Sequence, residues 1–182
     1  MEDKRGFALW ITGLPASGKS SLAQTVKKLL KERNIDVEIL ESDDLRTKLL
    51  PLSTYTEKER EFFYNALVCL GKMLVDHGMN VIFDATANKR KFRDKARKEI
   101  QNFMEVYVKC PLEECMRRDP KGIYRAAKSE EATTVPGAQV PYEEPLAPEM
   151  IIESDRETPK RGAEKILQKM QEKFDWLYWV CT

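Results

Sequence analysis

Apolar residues along this chain follow two alternating rhythms. Short continuous runs recur at Phe7 to Thr12, Val37 to Leu40, Val81 to Asp84, Phe103 to Val108 and Met150 to Ile152. Runs this short, bounded by polar residues or glycine, predict strands buried in a sheet. Between them, apolar residues fall three and four apart, the spacing of one helical face. Lys19 to Arg33 carries Leu22, Val26, Leu29 and Leu30 in that pattern, and Glu57 to Asp76 continues it up to Gly78. Helices are also predicted over Lys89 to Gln101, Leu112 to Arg118 and Lys160 to about Phe174, with another starting near Leu45, for which capping is the alternative role of Asp43 or Asp44 to a place in the site. Strands alternating with helices predict an α/β fold. The expected form is a single three-layer α/β/α domain over residues 1–182, built on a five-stranded parallel sheet.

One stretch breaks the rhythm. Asp119 to Pro148 contains Pro120, Gly122, Pro136, Gly137, Pro141, Pro145 and Pro148. A loop of this length inside a compact domain is functional or a floppy insertion. Its place before the last strand predicts a lid over a site.

Composition narrows the function. The 182 residues are 42% hydrophobic and 34% charged, with a formal net charge of +1. That balance suits a globular domain and gives no push toward nucleic acid, so any anion site is local. Cys69, Cys110, Cys115 and Cys181 form no CxxC pair, and His77 is the only histidine. Zinc binding and histidine-dependent nucleophilic catalysis are therefore not expected, and the thiols read as reduced. His77, just before Gly78, reads as a helix cap. Phe7 to Ile11 is too short to span a membrane, and a soluble cytoplasmic protein is expected.

The chemistry enters at the end of the first run. Gly13-Leu14-Pro15-Ala16-Ser17-Gly18-Lys19-Ser20, followed by Ser21, fits GxxxxGK[ST] between a predicted strand and a predicted helix. Glycines there let the backbone wrap so that its N–H groups point at phosphate oxygens, and the helix N-terminus adds positive potential. Lys19 is expected on the β- and γ-phosphates and the Ser20 hydroxyl on magnesium. The pattern predicts binding of ATP with Mg2+ and transfer of the terminal phosphoryl group to a small acceptor.

Carboxylates stand at two other strand ends. In a parallel sheet those ends line the ligand crevice. Asp43 is expected to orient the acceptor hydroxyl, and Asp84 to face the magnesium. Arg90, Arg93 and Arg97 share one helical face, which is either an anion clamp or a salt-bridged surface.

The chain resembles the adenylyl-sulfate kinases, which phosphorylate the 3′-hydroxyl of adenosine 5′-phosphosulfate (APS) with Mg-ATP. The specific part is Arg118-Asp119-Pro120-Lys121-Gly122-Ile123-Tyr124, then Pro141-Tyr142-Glu143, Pro145 and Pro148-Glu149. The resemblance implies a P-loop kinase fold. It implies Asp43 as the catalytic aspartate, Arg46 and Arg60 as acceptor-side arginines, and Tyr55 as the aromatic on the acceptor base. Arg118 would stack on the adenine of ATP, and Lys121 would reach the acceptor from the lid. The chain departs from that family at the acceptor side. Glu41-Ser42-Asp43 stands for Asp-Gly-Asp, Phe63 for an asparagine, Ala85-Thr86-Ala87-Asn88 for Phe-Ile-Ser-Pro, and Val135 for a second stacking phenylalanine. Losing one stacking ring removes about 1–3 kcal/mol of base binding. Phe83-Asp84-Ala85-Thr86 followed by Arg90 is similar to kinases of polynucleotides and sugars.

The leading expectation is therefore an adenylyl-sulfate kinase-like enzyme with a nucleotide-like small-molecule acceptor. Its alternative is a kinase of another nucleotide conjugate, such as a pyrimidine one. A nucleotide-dependent switch and a nucleic-acid 5′-kinase rank below both. The aromatic stretch Phe174 to Val180 either packs on the core or forms a dimer contact, which makes a homodimer one expected form.

Overall fold

The computed structural model describes residues 6–129, 132 and 134–174. Five parallel strands form one sheet: β1 Ala8–Thr12, β2 Glu38–Glu41, β3 Val81–Asp84, β4 Phe103–Lys109 and β5 Met150–Glu153, in the order β2-β3-β1-β4-β5. β1 lies at the centre. Its Leu9 is in register with Ile82 of β3 on one side and Met104 of β4 on the other.

Both faces of the sheet are covered because the strands are apolar on both. Leu9 and Ile11 of β1 point into a core made with helices α1 Lys19–Lys31 and α7 Pro159–Lys173. Ala8 and Trp10 point the other way, toward α3 Glu57–Asp76 and α4 Arg90–Glu99. This is the predicted three-layer α/β/α arrangement. Trp10 stacks on Phe83 at 4.6 Å, and its indole N–H donates to the Ala85 carbonyl at 3.1 Å. The chain leaves β1 for β2 on one side and returns past it from β3 to β4 on the other, so a crevice opens at the carboxyl ends of the strands around β1.

Two short helices differ from expectation. Helix α2 spans Ser42–Leu49, so it starts before Leu45, and Glu41 rather than Asp43 or Asp44 is its N-cap. Asp43 and Asp44 lie in its first turn, where a carboxylate is favoured by the helix dipole. The Asp119 to Pro148 stretch is not all loop: after α5 Leu112–Arg118 it contains α6 Ile123–Lys128. Tyr124 anchors α6 in a small third core with Cys110, Cys115 and Val135, against which Leu14 and Ala16 pack.

The basic face of α4 is a salt-bridged surface. Arg93 is buried and donates to Glu105 Oε1 at 2.8 Å, and Arg97 donates to Glu149 Oε1 at 2.6 Å. His77 is the C-cap residue of α3, with its ring Nδ1 2.7 Å from the Met73 carbonyl oxygen. Phe174 packs inward on Phe7 with ring centroids 5.7 Å apart. The rest of the aromatic C-terminal stretch, and Cys181, lie outside the described residues. Among the described residues no helix is long and apolar enough to cross a membrane.

Candidate active site

The loop from Gly13 to Ser20 leaves the carboxyl end of the central strand and enters α1. Two backbone positions require the residues found there. A Cβ on Gly13 would lie 2.5 Å from the Val108 carbonyl oxygen and 2.7 Å from Ser17 Oγ, so the loop presses directly on β4. Gly18 has φ 99°, a left-handed conformation that glycine adopts without strain. Ala16, at φ 60°, takes a left-handed conformation without that freedom. Alternating hands turn successive N–H groups inward and make an anion-binding nest. The hydroxyl of Ser17 is buried beneath it with no protein partner. From above, Tyr124 Oη donates to the Pro15 carbonyl at 3.0 Å and pins the loop to α6.

Lys19 is nearly buried and donates to the Leu14 carbonyl at 2.8 Å, so its ammonium closes the loop. Burial lowers its pKa, and the charges of Asp84 and Asp43 partly restore it. Asp84 shows the converse. Burial raises its pKa, while Lys19 and a hydrogen bond from Ser20 draw it back. Each of these groups therefore favours a charged partner beside it.

The Ser20 hydroxyl and Asp84 carboxylate suit magnesium, which takes one or two protein oxygens and fills its shell with phosphate oxygens and water. Among the described residues there is no cluster of three or more His, Cys, Asp or Glu to hold an ion by itself. An ion at Ser20 and Asp84 would depend on nucleotide phosphates for the rest of its coordination.

A cavity of 470 Å³ extends from this loop. At one end lie Arg118, Ser154 and Pro159, together with Ser21 at the start of α1. The Arg118 guanidinium is held by its edges, donating to Glu114 Oε1 at 2.8 Å and to the Ser154 carbonyl at 2.9 Å. At the other end Lys121, on the segment between α5 and α6, donates to Asp43 Oδ2 at 2.8 Å and to Glu41 Oε1 at 3.3 Å. Asp43 and Lys121 are both exposed, so this bridge can open without desolvating either group.

The remaining predicted residues gather beside α2 and α3. Arg46 is almost fully buried, with its Nη1 3.1 Å from Glu59 Oε1 and its guanidinium 4.0 Å from the Phe63 ring. Tyr55 is exposed, and the guanidinium carbons of Arg46 and Arg60 lie 4.9 and 5.4 Å from its ring centroid. Arg60 also donates to the Thr134 carbonyl at 2.7 Å, which ties α3 to the segment after α6.

The departures from the family pattern have local partners. Phe63 supplies an aromatic face for Arg46. The Asn88 side chain donates to the Pro141 carbonyl at 3.2 Å and its backbone carbonyl accepts from Glu143 N at 2.8 Å, joining the segment after β3 to the one before β5. Val135 is buried in the third core. Glu59, Glu114, Tyr124 and Ser154 were not anticipated as site residues. Tyr124 closes the run that carries the resemblance, and Glu59 had a local signal, since Thr56-Glu57-Lys58-Glu59 has the spacing of a helix capping box.

A central parallel strand running into a phosphate loop, with a carboxylate at the end of the neighbouring strand, places the chain among the P-loop nucleotide-binding proteins. Within that class the family is shown by comparison. The adenylylsulphate kinase family model matches residues 5–153, and the chain belongs to that family of ATP-dependent kinases. A probable adenylyl-sulfate kinase of Pyrococcus abyssi is 38% identical over 167 residues, covering 92% of this chain and 96% of the relative. One of Archaeoglobus fulgidus is 39% identical over 150 residues, covering 82% and 97%. Among solved structures, the Mycobacterium tuberculosis APS kinase CysC in complex with AMPPNP and APS superposes with a TM-score of 0.86 at 33% identity, covering 92% of this chain and 98% of the other.

Proposed function

We propose that this protein transfers the γ-phosphoryl group of ATP to the 3′-hydroxyl of adenosine 5′-phosphosulfate. The observation that carries this reading is a single cavity with Lys19 and Asp84 on the phosphate-loop side and the Asp43–Lys121 pair facing them. Donor chemistry and acceptor chemistry thus share one enclosure, inside a chain of this family.

The backbone N–H groups between Ala16 and Ser20 hold the β- and γ-phosphates, and Lys19 follows the charge that develops on the transferred group. Phosphate beside Lys19 supplies the anion that its burial calls for. Ser20 and Asp84 hold magnesium, which when bound neutralises charge on the phosphate oxygens. The flat face of Arg118 lies against adenine. Asp43 orients the acceptor hydroxyl and takes its proton. Lys121, released from Asp43, meets the acceptor's anionic group. Tyr55, Arg46 and Arg60 form the acceptor side.

Coupled ADP release with Mg-ATP and an acceptor panel tests the reading. Saturable turnover at micromolar APS is expected. Turnover with a cytidine or uridine conjugate but not with APS would overturn it in favour of the pyrimidine alternative. ATP hydrolysis indifferent to every acceptor would favour a switch.

A further inference from the structure

Glu59, in the first turn of α3, gathers five hydrogen-bond donors on one carboxylate. Oε1 accepts from Arg46 Nη1 at 3.1 Å, from Tyr55 N at 3.2 Å and from the Ser53 hydroxyl. Oε2 accepts from Thr54 N at 2.6 Å and from the Thr54 hydroxyl at 2.9 Å. The helix cap next to it is made separately, by Glu59 N donating to Thr56 Oγ1 at 3.3 Å. The carboxylate therefore reaches past the cap to hold the segment before it. Burial opposes its charge, but these bonds outweigh burial and hold the carboxyl at about 2.

What this carboxylate holds is the proposed acceptor side. Tyr55 has φ 54°, a left-handed conformation that is strained for a bulky residue and persists only where its surroundings enforce it. Arg46 is enclosed by the rings of Phe63, Tyr55 and Tyr64, at 4.0, 4.9 and 5.7 Å from its guanidinium carbon. Among the described residues, Glu59 is the one group bonded to both the Tyr55 backbone N–H and the Arg46 side chain.

We infer that Glu59 is a positioning residue for acceptor binding: it fixes the backbone of Ser53 to Tyr55 and the Arg46 guanidinium so that the Tyr55 ring is presented ready-made. This rests on the reading of Tyr55 and Arg46 as the acceptor side. Glu59→Gln separates charge from shape. One carboxamide oxygen still accepts, but the NH2 group has no acceptor capacity and faces the donors of either Thr54 or Arg46 and Tyr55.

The test has two arms on the full-length protein. In the first, hydrogen exchange is followed at the amides of Thr54 and Tyr55 without any substrate. Glu59→Gln is expected to speed exchange there by about tenfold or more, with the α1 amides unchanged. In the second, steady-state kinetics are measured with APS. The KM for APS is expected to rise about tenfold, while kcat and the KM for ATP stay within about twofold. Glu59→Asp, which keeps the charge on a shorter stem, is expected to recover part of both effects, and it is read by the same criteria if Glu59→Gln does not fold. Unchanged exchange at Thr54 and Tyr55 overturns the inference whatever the acceptor is. Faster exchange with an unchanged KM for APS reduces Glu59 to a local cap and also overturns it. Failure of the function reading is distinct, because it is seen in the wild type as absence of APS turnover. The kinetic arm is then run with whichever conjugate of the panel is turned over.

Discussion

At the scale of single residues, the proposed reaction gives Lys19 to the donor and Asp43 to the acceptor. Lys19→Ala removes the ammonium that closes the phosphate loop. It is expected to lower kcat on the order of 10²–10³-fold, the cost of deleting one preorganised charge at a developing anion. Unchanged turnover would refute the phosphate-loop assignment. Asp43 contacts Lys121 and lines the cavity, and the proposed function gives it the acceptor hydroxyl. Asp43→Asn is therefore expected to lower kcat by about 10²–10⁴-fold, with ATP affinity measured by titration nearly unchanged. A selective loss of ATP affinity would move Asp43 to the metal side.

Packing at the scale of elements is as specific as the chemistry. α3 crosses the sheet closely because Gly71 has no side chain: a Cβ there would lie 2.1 Å from Phe83 Cζ. The Phe83 ring is fully buried and stacked on Trp10, so it has no room to yield. Gly71→Ala is expected to cost about 1–3 kcal/mol of overpacking. The better helix propensity of alanine returns at most about 1 kcal/mol of that. A melting temperature several degrees lower, by calorimetry, is the expected readout. All five strands and the long helices were legible in the sequence, because buried runs and a three-to-four spacing report burial directly. The start of α2 was not, since Asp43 and Asp44 are equally suited to a cap and to a first turn. α6 was hidden because its six residues are too few for a periodic pattern. It forms through Tyr124 burial and through Asp119 Oδ2 accepting from Arg125 N at 3.0 Å. The phosphate loop was legible because its chemistry is contiguous. Glu59 was not recognised, because its partners at Arg46 and Ser53 to Tyr55 meet only in the fold. The role of the α4 arginines depended on Glu105 and Glu149, which are distant in sequence.

Over the whole molecule, the acid-sensitive joint lies away from the active site. Glu149, just before β5, accepts from Arg97 of α4, from Glu105 N of β4 at 2.8 Å and from Lys173 of α7 at 2.9 Å. Burial opposes its charge, yet the Arg97, Glu105 and Lys173 hydrogen bonds hold the carboxyl at about 2, below the ordinary 4.5. A depressed folded-state pKa contributes stability that is present above the unfolded value and lost as pH falls through the folded one. The contribution should be full above about pH 5 and vanish between about 4.5 and 2. Glu149→Gln is expected to lower the melting temperature at neutral pH and to flatten its fall over that acid window relative to wild type. Parallel curves for the two proteins would exclude this role.

The position of the transferred phosphoryl group is read from the product. The protein is incubated with Mg-ATP and APS, and the product is examined by phosphorus NMR and mass spectrometry. ADP and one new phosphomonoester on the 3′-oxygen of the acceptor ribose, formed in equal amounts, are expected. Unmodified APS beside ADP and inorganic phosphate, or a phosphoryl group at another position, would contradict the proposed function.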